Sequence, residues 1–272
     1  MRYYFTENFS KSYYIDSLKE NKIDNLLCSF ASATQKTIEK KIDNAISILR
    51  QFEPETNIII DSGAFSSWNS GLGVDRNELL EFYKGIYKHF PNAHFINLDV
   101  IPGARGRKPT EKEADIACKL SYENFLWFKS KGITTLPVFH EDDNWDYLYK
   151  FMEETDYIAI SPANDSSPKR RIVWLDKVYS ILKADYKTHG LAATSKQLLE
   201  RYPFYSVDSI NWKASTIYGR SALEKKIPPN MISKLARHKE GRNHVLVREI
   251  KLQKDLERHI TKLWEGRGVK WN

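Results

Sequence analysis

The chain has 272 residues, 41% of them hydrophobic and 13% aromatic, which excludes a disordered chain and suits one domain with a substantial core. Two cysteines, Cys28 and Cys118, exclude a disulfide framework and a zinc quartet; they fit buried core thiols in a reducing, cytoplasmic compartment. The net charge of +7 lies entirely in residues 222–272, which hold 13 basic and 6 acidic side chains.

A neutral body with a basic end suits a polyanionic partner, although a solvated helical face would carry the same charge. The start, Met1-Arg2-Tyr3-Tyr4-Phe5-Thr6-Glu7, lacks the apolar core of a signal peptide. No stretch approaches the ~20 apolar residues of a membrane helix.

In chain order, residues 25–31 read as a strand and 38–52 as an amphipathic helix. Residues 57–60 form a short apolar strand ending at Asp61. Residues 75–89 are helical, with Asp75 as the N-cap. A strand at 93–98 ends at Asp99, and a long helix at 110–131 stops at Gly132. A strand at 134–139 ends at His140, followed by a helix at 145–154. Strand 157–160, helix 172–184, strand 186–188, helix 195–201 and strand 204–207 follow, the last ending at Asp208. That is seven strands; an eighth must be short or lie among the first residues. Beyond Gly219, helices are expected at 231–239, stopped by Gly241, and at 248–265, with Leu252, Leu256, His259 or Ile260, and Leu263 on one side.

Apolar strands alternating with helices predict parallel βαβ units, and the length matches an α/β fold of the (β/α)8 TIM-like barrel type. The expected division is a catalytic barrel over 1–221 and a basic helical extension over 222–272, packed on it. In such a barrel the residues that follow the strands converge on one mouth. Here they are Asp61, Asp99, His140, Asn164, His189 and Asp208. Any one strand-end aspartate could be a turn former or helix cap. The loop after Asp61 argues otherwise: Gly63 permits close backbone approach, and Phe65 and Trp68 offer flat faces to an aromatic ligand. After Asp99, Val100-Ile101-Pro102-Gly103 makes a rigid turn beside a carboxylate that suits the donor edge of a guanine. Gly190-Leu191-Ala192-Ala193-Thr194 is a small-residue loop on the same rim. Two carboxylates facing one anomeric carbon supply a nucleophile and a proton shuttle, the requirements of glycosidic-bond chemistry.

Asp61-Ser62-Gly63-Ala64-Phe65 resembles the Asp-Ser-Gly-Gly-Phe-Gln motif of the tRNA-guanine transglycosylases, with Ala64 for the second glycine and Ser66 for the glutamine. The order of this motif, Asp99, a Gly-Leu-Ala loop and a late aspartate also matches, across residues 26–220. Val207-Asp208-Ser209-x-x-Trp212 and His189-Gly190-Leu191-Ala192 resemble in particular the divergent, often phage-encoded branch that puts 7-deazaguanines into DNA, the DpdA-like transglycosylases.

The resemblance implies that Asp208 attacks C1′ of the target nucleoside and that Asp61 is the general acid/base. It implies that Asp99 holds the purine edge, that Gly190 and Leu191 contact the 7-substituent side, and that Ser62, Gly63 and Phe65 line the base site. His140 stands where the tRNA enzymes place a base-contacting glutamine. The tRNA enzymes also carry a Cys-x-Cys-x-x-Cys plus His zinc site, and no cysteine follows Cys118 here.

The expected activity is exchange of guanine in DNA for a 7-deazaguanine such as preQ0, without metal or cofactor. Arg220, Lys251, Lys254, Arg258 and Lys262 would grip the nucleic acid, and a homodimer remains open. If the gene is phage-borne, the compartment is the host cytoplasm. A tRNA substrate, a hydrolase that releases the base to water, and an inactive nucleic-acid-binding barrel are the alternatives. The target base must leave its stack in any of the catalytic readings.

Overall fold

The computed structural model describes residues 1–10, 12–103, 107–162, 167–183, 186–218 and 239–271. Among them, nine strand segments make one all-parallel sheet: β1 (Arg2–Glu7), β2 (Asn25–Ser29), β3 (Asn57–Asp61), β4 (His94–Ile96), β5 (Thr135–Leu136), β6 (Val138–His140), β7 (Tyr157–Ser161), β8 (Lys187–Gly190) and β9 (Ser206–Ser209). Their order is β5-β4-β3-β2-β1-β9-β8-β7-β6. β5 and β6 are one strand position interrupted at Pro137, which has no N–H to give the ladder. Leu136 still accepts from Asn97 N at 2.9 Å on one side, and Pro137 accepts from Ala159 N at 2.8 Å on the other. The ring therefore closes as an eight-position TIM-like barrel. The unassigned eighth strand is β1, which pairs β2 and β9 and shuts the seam.

Alternation along the strands sorts the core into two layers. Tyr4, Leu27, Ile59, Ile96, Leu136, Val138, Tyr157 and Ala159 fill the barrel interior. Residues of opposite parity, such as Phe5, Leu26, Ile58, Ile60, Phe139 and Val207, pack beneath the surrounding helices. Helix starts follow local chemistry. Asp75 caps Arg76–His89 by accepting from Asn77 N and Glu78 N, and Thr110 with Glu113 forms a capping box for Glu111–Ser130. Pro168 opens Pro168–Leu182 behind a Ser167 cap, which moves that helix start from the expected 172. Cys28 and Cys118 are buried free thiols, as expected.

The last helix, Lys239–Glu265, runs through Gly241, where a stop was expected; residues 231–238 of the helix expected before it lie outside the described residues. Leu246, Ile250, Leu256 and Ile260 join the same core as the barrel helices. Its upper part packs near Tyr13, whose ring lies 5.3 Å below Arg242. Its lower part reaches the strand N-termini: Glu257 Oε1 accepts from Tyr3 N and Asn25 Nδ2, and Thr261 bonds Met1. Residues 239–265 of the segment expected as an extension thus occupy the place of the barrel's eighth helix. No helix among the described residues is long and apolar enough to cross a membrane.

Candidate active site

Two residues beyond five of the interior side chains, the same parity delivers a polar group to the mouth. Tyr4 is followed by Thr6, Leu27 by Ser29, Ile59 by Asp61, Val138 by His140 and Ala159 by Ser161. Register aligns them: Ser29 pairs Asp61, His140 pairs Ser161, and Asp208 pairs Tyr4.

Asp61 ends β3 and accepts from Gly63 N at 3.0 Å. Gly63 has φ +80°, and a Cβ there would lie 2.7 Å from Ala31 Cβ, so both backbone conformation and space demand glycine. The carboxyl of Asp61 is pushed up to about 6, chiefly by burial, with the neighbouring Asp99 and Asp208 charges adding to the shift. The Ser29 hydroxyl and Gly63 N–H act against it. Residues Ala64–Ser70, expected as a ligand loop, form a short helix instead. It leaves Phe65 63% exposed beside Trp68, with ring centroids 6.0 Å apart. Ser62 is fully buried, and its hydroxyl accepts from Ala64 N, so it shapes the turn without facing the mouth.

Asp99 lies on a turn fixed from behind. Ser121 Oγ accepts from Val100 N at 2.8 Å, and Asn124 Nδ2 donates to Leu98 O at 2.8 Å. Trp68 Nε1 donates to Gly103 O, tying the Asp61 and Asp99 loops together. Asp99 Oδ2 stands 2.9 Å from His140 Nε2, and His140 Nδ1 stands 3.2 Å from Asp143 Oδ2. Burial would lower the imidazole's affinity for its proton, but Asp143 and Asp99 reverse this and raise it to about 10. Both ring nitrogens of His140 face carboxylates of the protein, Nε2 towards Asp99 and Nδ1 towards Asp143.

Asp208 is held at both oxygens. Thr6 Oγ1 donates to Oδ2 at 3.0 Å, and Ala192 N donates to Oδ1 at 3.0 Å. Ala192 adopts φ 51° to aim that N–H. Gly190 has no room for a side chain, since a Cβ would meet Ala193 and Phe204 at 2.9 Å. Leu191 N donates to Ile160 O, so its N–H serves the sheet. Behind Asp208 lies His189, fully buried.

Sequence reasoning placed Asp61, Asp99, His140, Gly190, Leu191 and Asp208 on one rim, and the fold brings them there. It missed Thr6, Ser29, Asp143 and the Ala192 N–H; alternation from Tyr4 and Leu27 was the signal for the first two. It also missed the ion pair of Glu7 and Lys213, 2.8 Å apart and almost fully buried where β1 meets β9. Lys254, Arg258 and Lys262, expected as part of a nucleic-acid grip, lie towards the end of the barrel opposite the mouth. Lys254 bonds Lys22 O and approaches Asp24, at the strand N-terminal rim, and Arg258 pairs with Asp255. Lys262 lies two turns further along the helix, in the same direction away from the mouth. Lys251 is exposed midway. Asn164 and Arg220 lie outside the described residues.

No protein-family model matches the chain, and no curated protein was found to match it.

Proposed function

We propose that this protein is a transglycosylase that exchanges guanine in DNA for a 7-deazaguanine base through a glycosyl-enzyme on Asp208. The observation that carries the reading is the inequality of two carboxylates at one mouth. Asp61 is raised to about 6, a range in which a carboxyl both gives and takes a proton near neutrality. Asp208 is fixed by donors at each oxygen, as a nucleophile requires.

In this scheme Asp208 attacks C1′, the base departs with the N9–C1′ electron pair, and Asp61 supplies its proton. The incoming base returns a proton to Asp61 as its own N9 bonds C1′ and Asp208 is released. Asp99, held by the His140 cation, accepts from the donor edge of the purine. Phe65, exposed beside Trp68, offers its face to a flipped base. Leu191, its N–H already donated to Ile160, would meet a 7-substituent through its carbonyl.

The nucleic acid would approach along the segments that follow the strands, where Lys36 and Lys108 are exposed on loops and Lys169 in the first turn of Pro168–Leu182, and not along the lower part of the last helix. The test is incubation with DNA or tRNA carrying labelled guanine and a panel of 7-deazaguanines including preQ0. Label loss with base incorporation in DNA supports the reading. Exchange in tRNA alone moves the substrate to RNA, an abasic product makes the protein a hydrolase, and no loss on either substrate leaves a binding barrel.

A further inference from the structure

Behind Asp208 the structure holds a buried polar chain that the scheme above does not use. His189 Nδ1 is 2.6 Å from Ser206 Oγ, and Ser206 Oγ is 2.6 Å from Tyr157 Oη. His189 Nε2 is 3.4 Å from Asp208 Oδ1 and has no hydrogen bond of its own among the described residues. The rings of Tyr4 and His189 meet nearly at right angles, with centroids 5.9 Å apart.

The direction of this chain follows from charge. Were His189 to carry its proton on Nδ1, a bare Nε2 lone pair would face a carboxylate oxygen in a dry interior, which is repulsive. With the proton on Nε2, Tyr157 donates to Ser206, Ser206 donates to Nδ1, and Nε2–H lies beside Asp208 Oδ1 at 3.4 Å, short of a formed hydrogen bond in the resting protein. We propose that His189 is a positioning residue for Asp208, its Nε2–H aligned by Ser206 and Tyr157 so that Oδ1 is held and Oδ2 is presented to the anomeric carbon.

This inference rests on the transglycosylase reading. In the first half-reaction Oδ2 bonds C1′ while the N9–C1′ pair leaves with the base, which takes the proton of Asp61. In the second, the incoming base gives a proton to Asp61, its N9 bonds C1′, and the Oδ2–C1′ pair returns to Asp208. Charge then reappears on the carboxylate, where the Ala192 and His189 N–H groups meet it at Oδ1. The 3.4 Å contact of the resting protein is the kind that shortens as the reaction proceeds.

Two variants separate this role from packing. His189→Gln can place an N–H where Nε2 stands, whereas His189→Asn keeps a polar group only near Nδ1. With labelled guanine in DNA, His189→Gln should keep kcat within about threefold of wild type. His189→Asn should lose about 10- to 100-fold in kcat, with KM for DNA and base little changed. Ser206→Ala should lower kcat on its own and add nothing to His189→Asn.

Independently of turnover, nitrogen-15 NMR of the resting protein should find Nε2 protonated and Nδ1 bare at His189. A proton on Nδ1, equal losses in the two His189 variants, or a loss confined to KM would overturn the proposal. If wild type exchanges no base, the transglycosylase reading fails instead, and the NMR result alone decides the hydrogen-bond chain.

Discussion

Asp99 and His140 meet at 2.9 Å between neighbouring strand positions at the barrel mouth, and the far side of the same imidazole reaches Asp143 at 3.2 Å. A cation between two carboxylates fixes the turn that carries Asp99, and it does so by charge as well as by geometry.

The first prediction follows from that bridge. The pKa of His140 is raised from 6.5 to about 10 in the folded protein. Its stabilisation is therefore fully present below pH 6.5 and is lost as pH rises through about 10. His140→Gln should cost about 3 kcal/mol at pH 6, since it leaves two buried carboxylates without their cation. The gap to wild type should narrow by pH 10.5. Urea unfolding at the two pH values measures this, and a gap independent of pH would contradict the bridge.

Asp61 gives the opposite stability sign when removed. Its pKa is raised from 3.8 to about 6, so ionising it costs folded stability as pH rises through that window. Asp61→Asn should stabilise the protein by about 2 kcal/mol at pH 7.5 and by nothing below pH 3.5. The same variant should lower base exchange about 100-fold or more. Gain of stability with loss of activity, read by thermal melts and exchange assays, would mark a functional carboxylate held at a structural cost.

Gly63→Ala should destabilise by about 2–3 kcal/mol, because it adds a clash at 2.7 Å with Ala31 to a residue at φ +80°. Exchange should fall further than stability explains, since Gly63 N is the donor that orients Asp61. Activity at a temperature where the variant is fully folded separates the two effects.

The position of the cations predicts which substitutions weaken DNA binding. Charge reversal at Lys36, Lys108 and Lys169 together should lower affinity at least tenfold at moderate salt and flatten the salt dependence. Charge reversal at Lys251 and Lys262 should change it less than threefold. The reverse ranking in a fluorescence-anisotropy titration would return the grip to the last helix.

Much of this architecture was legible in the sequence because the signals are local. Apolar runs ending at Asp61, His140 and Asp208 fixed three strand ends, and caps such as Asp75 fixed helix starts. Other features depend on partners distant in the chain. The first residues are one of two places left for the eighth strand, and β1 is settled as that strand by its pairing with β9, 202 residues away between Thr6 and Asp208. Nothing local in the sequence marks Lys213 as buried against Glu7, 206 residues away. The basic stripe of the last helix reads as a nucleic-acid grip until Glu257 and Thr261 anchor that helix to the strand N-termini. The charge excess can be counted in the sequence; where Lys254, Arg258 and Lys262 point required the fold.

The central claim is that Asp208 bonds covalently to the sugar from which a guanine has left. The most direct measurement is denaturing electrophoresis of the protein mixed with guanine-containing DNA, followed by peptide mass mapping of any species that migrates with the DNA. The account predicts a covalent protein–DNA species, attached within the peptide containing Asp208, that disappears when preQ0 or free guanine is added and is absent in Asp208→Asn. Base exchange without any such species, or an adduct at another residue, would contradict it.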